Sequence, residues 1–426
     1  MTALCGSRTI LQMPPADRSD LDAVIFGGGA AGLWILDELR RAGYTAVLLE
    51  SNRLGSGQTI ASQGIIHGGV KYTLGGILTP SANAIREMPL IWRRCLAGER
   101  EPALLRTRLR AEHCYLWRTA SFSSKLAMIG AKAGLRVTPI PIDDADRPPV
   151  LEHCPGTVAR LDEQVIDPAS FLHDLADRNR GAILSIDASS GLEIDRTDSA
   201  SPRIRLLAPD SGRPLDLHPR WVVLTAGQGN AALRAQLGLD GSRHPRRSPG
   251  IRESQMQLRP LKMVLACGRL PILNGHCVDG ATPRVTITTS SSSTGATIWQ
   301  IGGEIAETGV EMADGDLLRF AKSEVESVLP GVDLSDVQWA TSTADRAESK
   351  TRAGLRPDDA TVLVDGCVVT IWPTKLALAP RCGSLVLGIL DPPIGNAIDA
   401  GLFDNWPRPR VALPPWEEHT TWHTVA

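Results

Sequence analysis

Residues Asp22 to Glu50 constrain this chain more than any other stretch. Ala23-Val24-Ile25-Phe26 is a short apolar run ending on glycine, the pattern of a buried parallel strand. Gly27-Gly28-Gly29-Ala30-Ala31-Gly32 follows and fits G-x-G-x-x-G. Leu33, Leu36 and Leu39 then recur at helical spacing, Gly43 stands at the helix stop, and Ala46 to Leu49 reads as a second strand closed by Glu50. This is a βαβ unit of about 30 residues. Gly27 permits the strand-to-helix turn, Gly29 lets backbone approach a pyrophosphate, and Gly32 lets the helix pack on the strand. The first N–H groups of the helix face the phosphates. Glu50 can accept both ribose hydroxyls of an adenosine and would repel a 2′-phosphate. The unit commits the chain to an α/β fold and to a dinucleotide, without separating FAD from NAD.

The rest of the chain has to be compatible with that unit. Its 426 residues suggest two or three domains, or one large interleaved fold. Apolar residues at 42% and charged residues at 22% exclude a disordered chain, a collagen-like fibre and a coiled coil. With 45 basic against 47 acidic side chains, the net charge of −2 gives no global attraction to nucleic acid or to an anionic membrane. No stretch approaches the roughly 18–20 apolar residues of a membrane span. The N-terminus has no apolar run long enough for a signal-peptide core and carries Arg8, Asp17 and two prolines. A cytoplasmic protein is the expectation. The eight cysteines are scattered without a C-x-x-C pair, so they read as reduced, structural thiols, and no metal site is expected.

Along the chain, Ser51 to Gly76 is rich in Gly, Ser and Gln yet contains Ile65, Ile66 and Val70, which marks an ordered binding loop. Helical patterns dominate from Ala82 to Leu135, with arginines (Arg93, Arg94, Arg100, Arg106, Arg108, Arg110) near Trp92 and Trp117. Glu99, Glu101 and Glu112 dilute that charge, so this is a solvated helix face rather than a nucleic-acid surface. Asp167 and Pro168 open another helix as N-cap and first residue. That assignment accounts for Asp167 as a cap, and the acidic neighbours Asp162, Glu163 and Asp167 are not expected to form a catalytic carboxylate pair. Trp221 to Leu224 is a buried strand, and Val285 to Thr289 pairs with Ala296 to Ile301 as a hairpin. Leu317 to Leu329 is an amphipathic helix, and Val362 to Val364 and Val368 to Ile371 are late strands.

Four stretches together resemble the D-amino-acid oxidase-like superfamily of FAD-dependent oxidoreductases, which includes sarcosine and glycine oxidases, 2-hydroxyglutarate dehydrogenase and glycerol-3-phosphate dehydrogenase. They are the βαβ unit; Gly57 to Gly69; Leu224-Thr225-Ala226-Gly227; and Gly354-Leu355-Arg356-Pro357 with Trp372 to Pro380. Ile66-His67-Gly68-Gly69 is most similar to the glycerol-3-phosphate and hydroxyacid branches. The superfamily's late Gly-His-Gly stretch is replaced here by Trp372-Pro373-Thr374-Lys375.

The resemblance implies a Rossmann-like FAD-binding domain assembled from about 20–80, 165–242 and 345–392, and an interleaved antiparallel-sheet substrate domain from about 81–164 and 243–344. Residues 1–19 would be an N-terminal extension and 393–426 an extended Pro-rich tail over the surface. It implies FAD held by Gly27, Gly29, Ala31, Gly32, Glu50, Ser62, Gln63, Ala226, Gly227, Arg356, Thr374, Lys375 and Leu376. Catalytic roles fall to His67 and Lys375: the histidine as a base near the flavin edge or as a loop residue bonded to backbone, the lysine as a cation beside the ring or as a surface group. Arg284, Arg346, Lys71 and His276 stand as anion binders or as structural ion-pair partners, and Cys367 as a strand thiol rather than a flavin tether. The implied reaction is oxidation of a C–H bond next to OH or NH in a small polar substrate, with hydride passing to flavin N5. A hydroxyacid or polyol-phosphate is favoured, with an amine or amino-acid oxidase, or a non-catalytic FAD-binding protein, as alternatives. The electron acceptor (oxygen, quinone or a protein) stays open.

Overall fold

The first strand, β1 (Asp17–Phe26), is ten residues long, well beyond the apolar run at its end. Its charged first half alternates between exposed and buried positions, and Asp17 to Leu21 pairs in register with Leu215 to Pro219. Ladder pairing extends the strand where hydrophobicity does not. A computed structural model describes residues 17–68, 80–119, 139–196, 201–239, 255–280, 282–351, 354–357, 359–373, 375–395, 401–418 and 420–425. Lys71 and Thr374 lie outside the described residues.

After β1 come α1 (Ala30–Arg41) and β2 (Ala46–Glu50). The parallel core of the first sheet runs Ile183–Ser185, β2, β1, Pro214–Leu224, Val368–Trp372, with Thr361–Asp365 antiparallel at the edge. A hairpin of Leu192–Asp195 and Arg203–Leu207 joins the outer half of Pro214–Leu224. Both faces of the core strands are buried. Leu33, Leu36 and Leu39 of α1 pack on one face with Phe171 and Val386, while Leu206, Leu217 and Trp406 belong to the core on the other. Burial on both faces is why these strands read as unbroken apolar runs.

Among the described residues the second sheet has nine strands, in the order His423–Thr424, Gln338–Ser349, Met256–Gly268, Thr297–Gly302, Val285–Ser291, Gly275–Cys277, Cys114–Trp117, Val158–Leu161, Ile140–Ile142. It is antiparallel except where Gly275–Cys277 lies parallel to Cys114–Trp117. Helix Asp314–Val328 buries Leu317, Ala321 and Val325 against it beside Trp299 and Trp339.

The helical expectation over Ala82 to Leu135 is corrected over 97–119, while 120–135 lies outside the described residues. A helix spans Pro80–Leu96, but Leu109–Ala111 and Cys114–Trp117 are strands. Short, half-buried strands carry too few residues to outvote the arginine-rich helical pattern around them. Trp92 and Trp117 are fully buried, so they offer no stacking face to a nucleic acid. Arg108 and Arg110 close on Asp167, which also caps helix Pro168–Arg178 by accepting from the Ala169 N–H at 3.2 Å. The boundary expected near 345 falls inside the Gln338–Ser349 strand, which pairs along its whole length with Met256–Cys267. The tail is extended in part, yet it is built into the fold: Val411 bridges Leu54, Trp406 is buried, and His423–Thr424 adds an edge to the second sheet. No helix among the described residues is long and apolar enough to cross a membrane.

Candidate active site

Between the two sheets lies a cavity of about 1060 Å³, lined from one side by the β1–α1 turn and from the other by the second sheet. The glycines of the turn differ in what they do. Gly27 has φ +101°, and a Cβ there would stand 2.5 Å from Ala226 Cα. A Cβ on Gly32 would lie 1.9 Å from the Gly27 carbonyl oxygen. These two close the packing of strand, helix and the Thr225-Ala226-Gly227 segment. Gly29 is different: φ −77° and ψ −175° suit any residue, and a Cβ would meet just Thr59 Oγ1, at 3.3 Å. The protein itself leaves that side open. Gly29 is also the N-cap of α1 and has no side chain to satisfy the first-turn N–H groups. Ala30 N–H donates to Thr59 Oγ1 at 3.1 Å.

Glu50 ends β2 at the cavity wall, where its Oε2 accepts from Gly28 N–H at 2.6 Å and its Oε1 from Asn52 N–H at 2.8 Å. Burial pushes its carboxyl above the usual range, against the pull of those backbone donors. A large cleft, a helix N-terminus whose cap residue is a bare glycine, and a carboxylate at the end of the second strand fit a dinucleotide carrying free ribose hydroxyls. Gly27, Gly29, Ala31, Glu50, Ser62, Gln63, Ala226, Gly227, Arg356, Lys375 and Leu376 all line this cavity. Gly32 acts behind it. Ser62 Oγ donates to the Thr59 carbonyl at 2.8 Å, and the Gln63 amide donates to the carbonyls of Gln300 and Thr286 at 2.9 and 3.2 Å. Those two side chains are occupied by the protein, and Gln63 joins the glycine-rich loop to the second sheet.

At the far end of the cavity three side chains meet that the sequence keeps well apart. His67 Nδ1 lies 3.3 Å from Glu163 Oε2, and His276 Nε2 lies 3.7 Å from the same oxygen. Gly68 N–H donates to Glu163 Oε1 at 2.7 Å, and His276 Nδ1 lies 2.9 Å from Thr286 Oγ1. Glu163 is 1% exposed. Burial opposes its ionisation, but the donors around it outweigh that and hold its carboxyl well below the usual range. His67 is driven the other way. Burial lowers it to about 4, Glu163 pulling upward and Lys375 and His276 adding to the lowering. It is a neutral imidazole at neutral pH.

Lys375 follows the Val368–Trp372 strand and lines the cavity within electrostatic reach of His67. Arg346 and Arg356 also line it, close to Glu307 and Glu348. Arg284 does not. It is held by Glu324 at 2.6 Å and by Asp279 at 3.4 Å, as a structural ion pair. Cys367 sits in the turn between two strands of the first sheet, away from the cavity lining. Glu163 is the residue that sequence reasoning passed over. Its neighbours Asp162, paired with Arg93 at the surface, and Asp167, the buried helix cap, gave no local sign of which acid lines the cavity.

Fold and cleft together define a dinucleotide-dependent α/β protein with its site between two sheets. The chain belongs to the family of FAD dependent oxidoreductases (DAO), which matches residues 22–383. It is 38% identical over 410 residues to the probable FAD-dependent oxidoreductase PA4991 of Pseudomonas aeruginosa, covering 95% of this chain and 99% of that protein. The crystal structure of PA4991 superposes with a TM-score of 0.75, at 35% identity over the same shares of the two chains. Glycine oxidase from Geobacillus kaustophilus gives a TM-score of 0.63 at 16% identity, over 90% of this chain and 98% of that one. L-α-glycerophosphate oxidase from Mycoplasma pneumoniae gives 0.58 at 14%, over 87% and 95%. The last two establish likeness of fold alone. The protein is an FAD-dependent oxidoreductase.

Proposed function

We propose that the protein oxidises a small substrate carrying an anionic group, at a carbon that bears a hydroxyl or an amine. Bound flavin supplies the hydride acceptor at N5. The chain's own residues hold the substrate, receive its proton and offset developing charge. The observation that carries the reading is His67, neutral at neutral pH, braced on a buried carboxylate and facing the cavity. As the C–H hydride departs, the O–H or N–H bond breaks and its electron pair becomes the second bond of C=O or C=N. The proton goes to the lone pair of the His67 ring. Lys375 is the cation for the flavin edge where negative charge collects.

An anionic substrate is supported by the wall opposite. Arg346 and Arg356 line the cavity there, and Arg259 stands behind them against Glu348 and Glu307. Burial lowers the basicity of Arg346, and repulsion from Arg259 and Arg356 adds to it, so an incoming carboxylate or phosphate relieves the crowding. In this reading 20–80, 165–242 and 345–392 hold the nucleotide and 81–164 with 243–344 hold the substrate, the border after 344 moving to the end of the Gln338–Ser349 strand.

The Ile66-His67-Gly68-Gly69 stretch favours a hydroxyacid or a polyol-phosphate. A second reading, an amino acid, is favoured by fold neighbours that include glycine oxidase and L-amino acid deaminases. Anaerobic bleaching of the flavin against hydroxyacids, polyol phosphates and amino acids separates the two. Bleaching by members of one class assigns it, and a flavin that none of them bleaches refutes the enzymatic reading of this cavity. With a bleaching substrate in hand, His67→Ala should slow reduction by about 10²–10⁴ with normal FAD content.

A further inference from the structure

We propose that Glu163 is the positioning residue of this site. It fixes His67 as the Nδ1–H tautomer, leaving Nε2 as the basic nitrogen for substrate, and His276 is the second clamp on the same carboxylate oxygen. The proposal deepens the reading of His67 as a base, but it makes a claim about the ring that stands without that reading.

The hydrogen-bond inventory leads to it. An ionised carboxylate accepts and cannot donate, so a ring nitrogen bonded to it must carry a proton. His67 Nδ1, 3.3 Å from Glu163 Oε2, is therefore N–H, and in a neutral imidazole Nε2 is then bare. His276 repeats the logic in mirror image. Its Nδ1 lies 2.9 Å from Thr286 Oγ1, and its Nε2 stands 3.7 Å from Glu163 Oε2, longer than a hydrogen bond but near enough for the carboxylate charge to favour a proton there. Gly68 N–H, at 2.7 Å, completes the set on Oε1. One buried charge thus faces two donors of the glycine-rich loop at hydrogen-bond distance, with His276 of the Gly275–Cys277 strand just beyond. The groups facing His67 are Glu163, His276 and Lys375. Once Nε2 takes a proton, the ring is a cation touching a carboxylate, and the Coulomb term favours it where Lys375 opposes it.

The same three side chains have another chemistry. Their ligand atoms all lie within 4.8 Å of one another, a spacing that suits a divalent cation. Two features favour the proton arrangement. Every nitrogen facing the carboxylate is satisfied by a proton alone, and Lys375 places a positive charge where a dication would have to sit nearby.

The test is long-range ¹H–¹⁵N correlation on FAD-loaded protein labelled at histidine, with the His67 signals assigned by their loss in His67→Gln. Wild type should show His67 with Nδ1 protonated and Nε2 unprotonated from pH 8 down to about 5. Glu163→Gln, whose amide can accept or donate, should lose that preference and move the Nε2 signal toward the protonated range; Glu163→Asp, which keeps the charge, should retain it. A wild-type His67 protonated at Nε2, or Glu163→Gln with an unchanged tautomer, overturns the proposal. Wild type alone decides if Glu163→Gln does not fold. One equivalent of ZnCl₂ followed by EDTA tests the cation: stoichiometric zinc that shifts His67 and His276 together would make the cluster a metal site and overturn the proposal. Unchanged flavin reduction in His67→Ala would instead remove the base role and leave the tautomer result standing.

Discussion

Replacing Gly29 with alanine separates what the fold needs from what the cofactor needs. The backbone at Gly29 is ordinary extended conformation, and an added Cβ meets a single oxygen, Thr59 Oγ1, at 3.3 Å. Removing glycine from the unfolded chain contributes about 0.4–1 kcal/mol of stability, which the tight contact with Thr59 offsets in part. The apoprotein should therefore melt within about 2 °C of wild type. FAD should suffer, because the methyl group projects into the space where phosphate approaches the helix N-terminus. Forcing one methyl into a close-packed contact costs about 1–3 kcal/mol, or about 5–150-fold in Kd. The assay is quenching of FAD fluorescence on titration with apoprotein, beside a thermal melt of the apoprotein by circular dichroism. Gly32→Ala is the contrasting control: its Cβ would sit 1.9 Å from the Gly27 carbonyl, and it should fail to fold. Wild-type affinity in a stably folded Gly29→Ala protein would refute the reasoning, since the open side of the turn would then not be the phosphate bed.

Three further outcomes follow from the same geometry. Glu50→Gln removes the charge that the Gly28 and Asn52 N–H groups donate to and that is proposed to take the ribose hydroxyls, and should weaken FAD by about 1–3 kcal/mol in the same titration. Lys375→Met keeps much of the stem and deletes the cation, so the flavin should bind sulfite more weakly; equal affinity would place the ammonium away from the ring. The pH dependence of stability has a definite sign. His67 in the unfolded chain binds a proton near pH 6.5 and the folded ring not until about 4, so stability falls as pH drops through that window. The exposed third of the ring tempers the effect to about 1–2 kcal/mol. His67→Gln should flatten thermal melts between pH 6.5 and 4, and an equally steep loss in the variant would assign it to other groups.

The parts of this protein that were legible in its sequence are those made by neighbours along the chain. The β1–α1–β2 unit, the Asp167 cap and the hairpin of Val285–Ser291 with Thr297–Gly302 each declare themselves within about 30 residues. The strands between 109 and 117 did not, because three or four half-buried residues carry little periodicity. Gln63 was legible as a site residue but not in its bonds: its amide goes to backbone carbonyls at 286 and 300, more than two hundred residues away.

The same distinction explains why one half of the site is written in contiguous motifs and the other is not. Binding a pyrophosphate uses backbone N–H groups and room beside them, so the requirement falls on glycines at fixed spacing and leaves a pattern. The proposed handling of a proton uses side chains, and these come from two loops and two strands of the second sheet: His67, Glu163, His276 and Thr286. They meet when the two sheets dock, and nothing in the spacing of 67, 163 and 276 foretells it. What marks Glu163 is physical rather than sequential. A fully buried carboxylate must be ionised and donated to, or protonated and costly, and here Gly68 N–H and the His67 ring lie at hydrogen-bond distance with His276 at 3.7 Å. For a buried acid on the wall of a cofactor cleft the proposed role is to hold its neighbours in place, which is why the tautomer of His67 and not the charge of Glu163 is the quantity to measure.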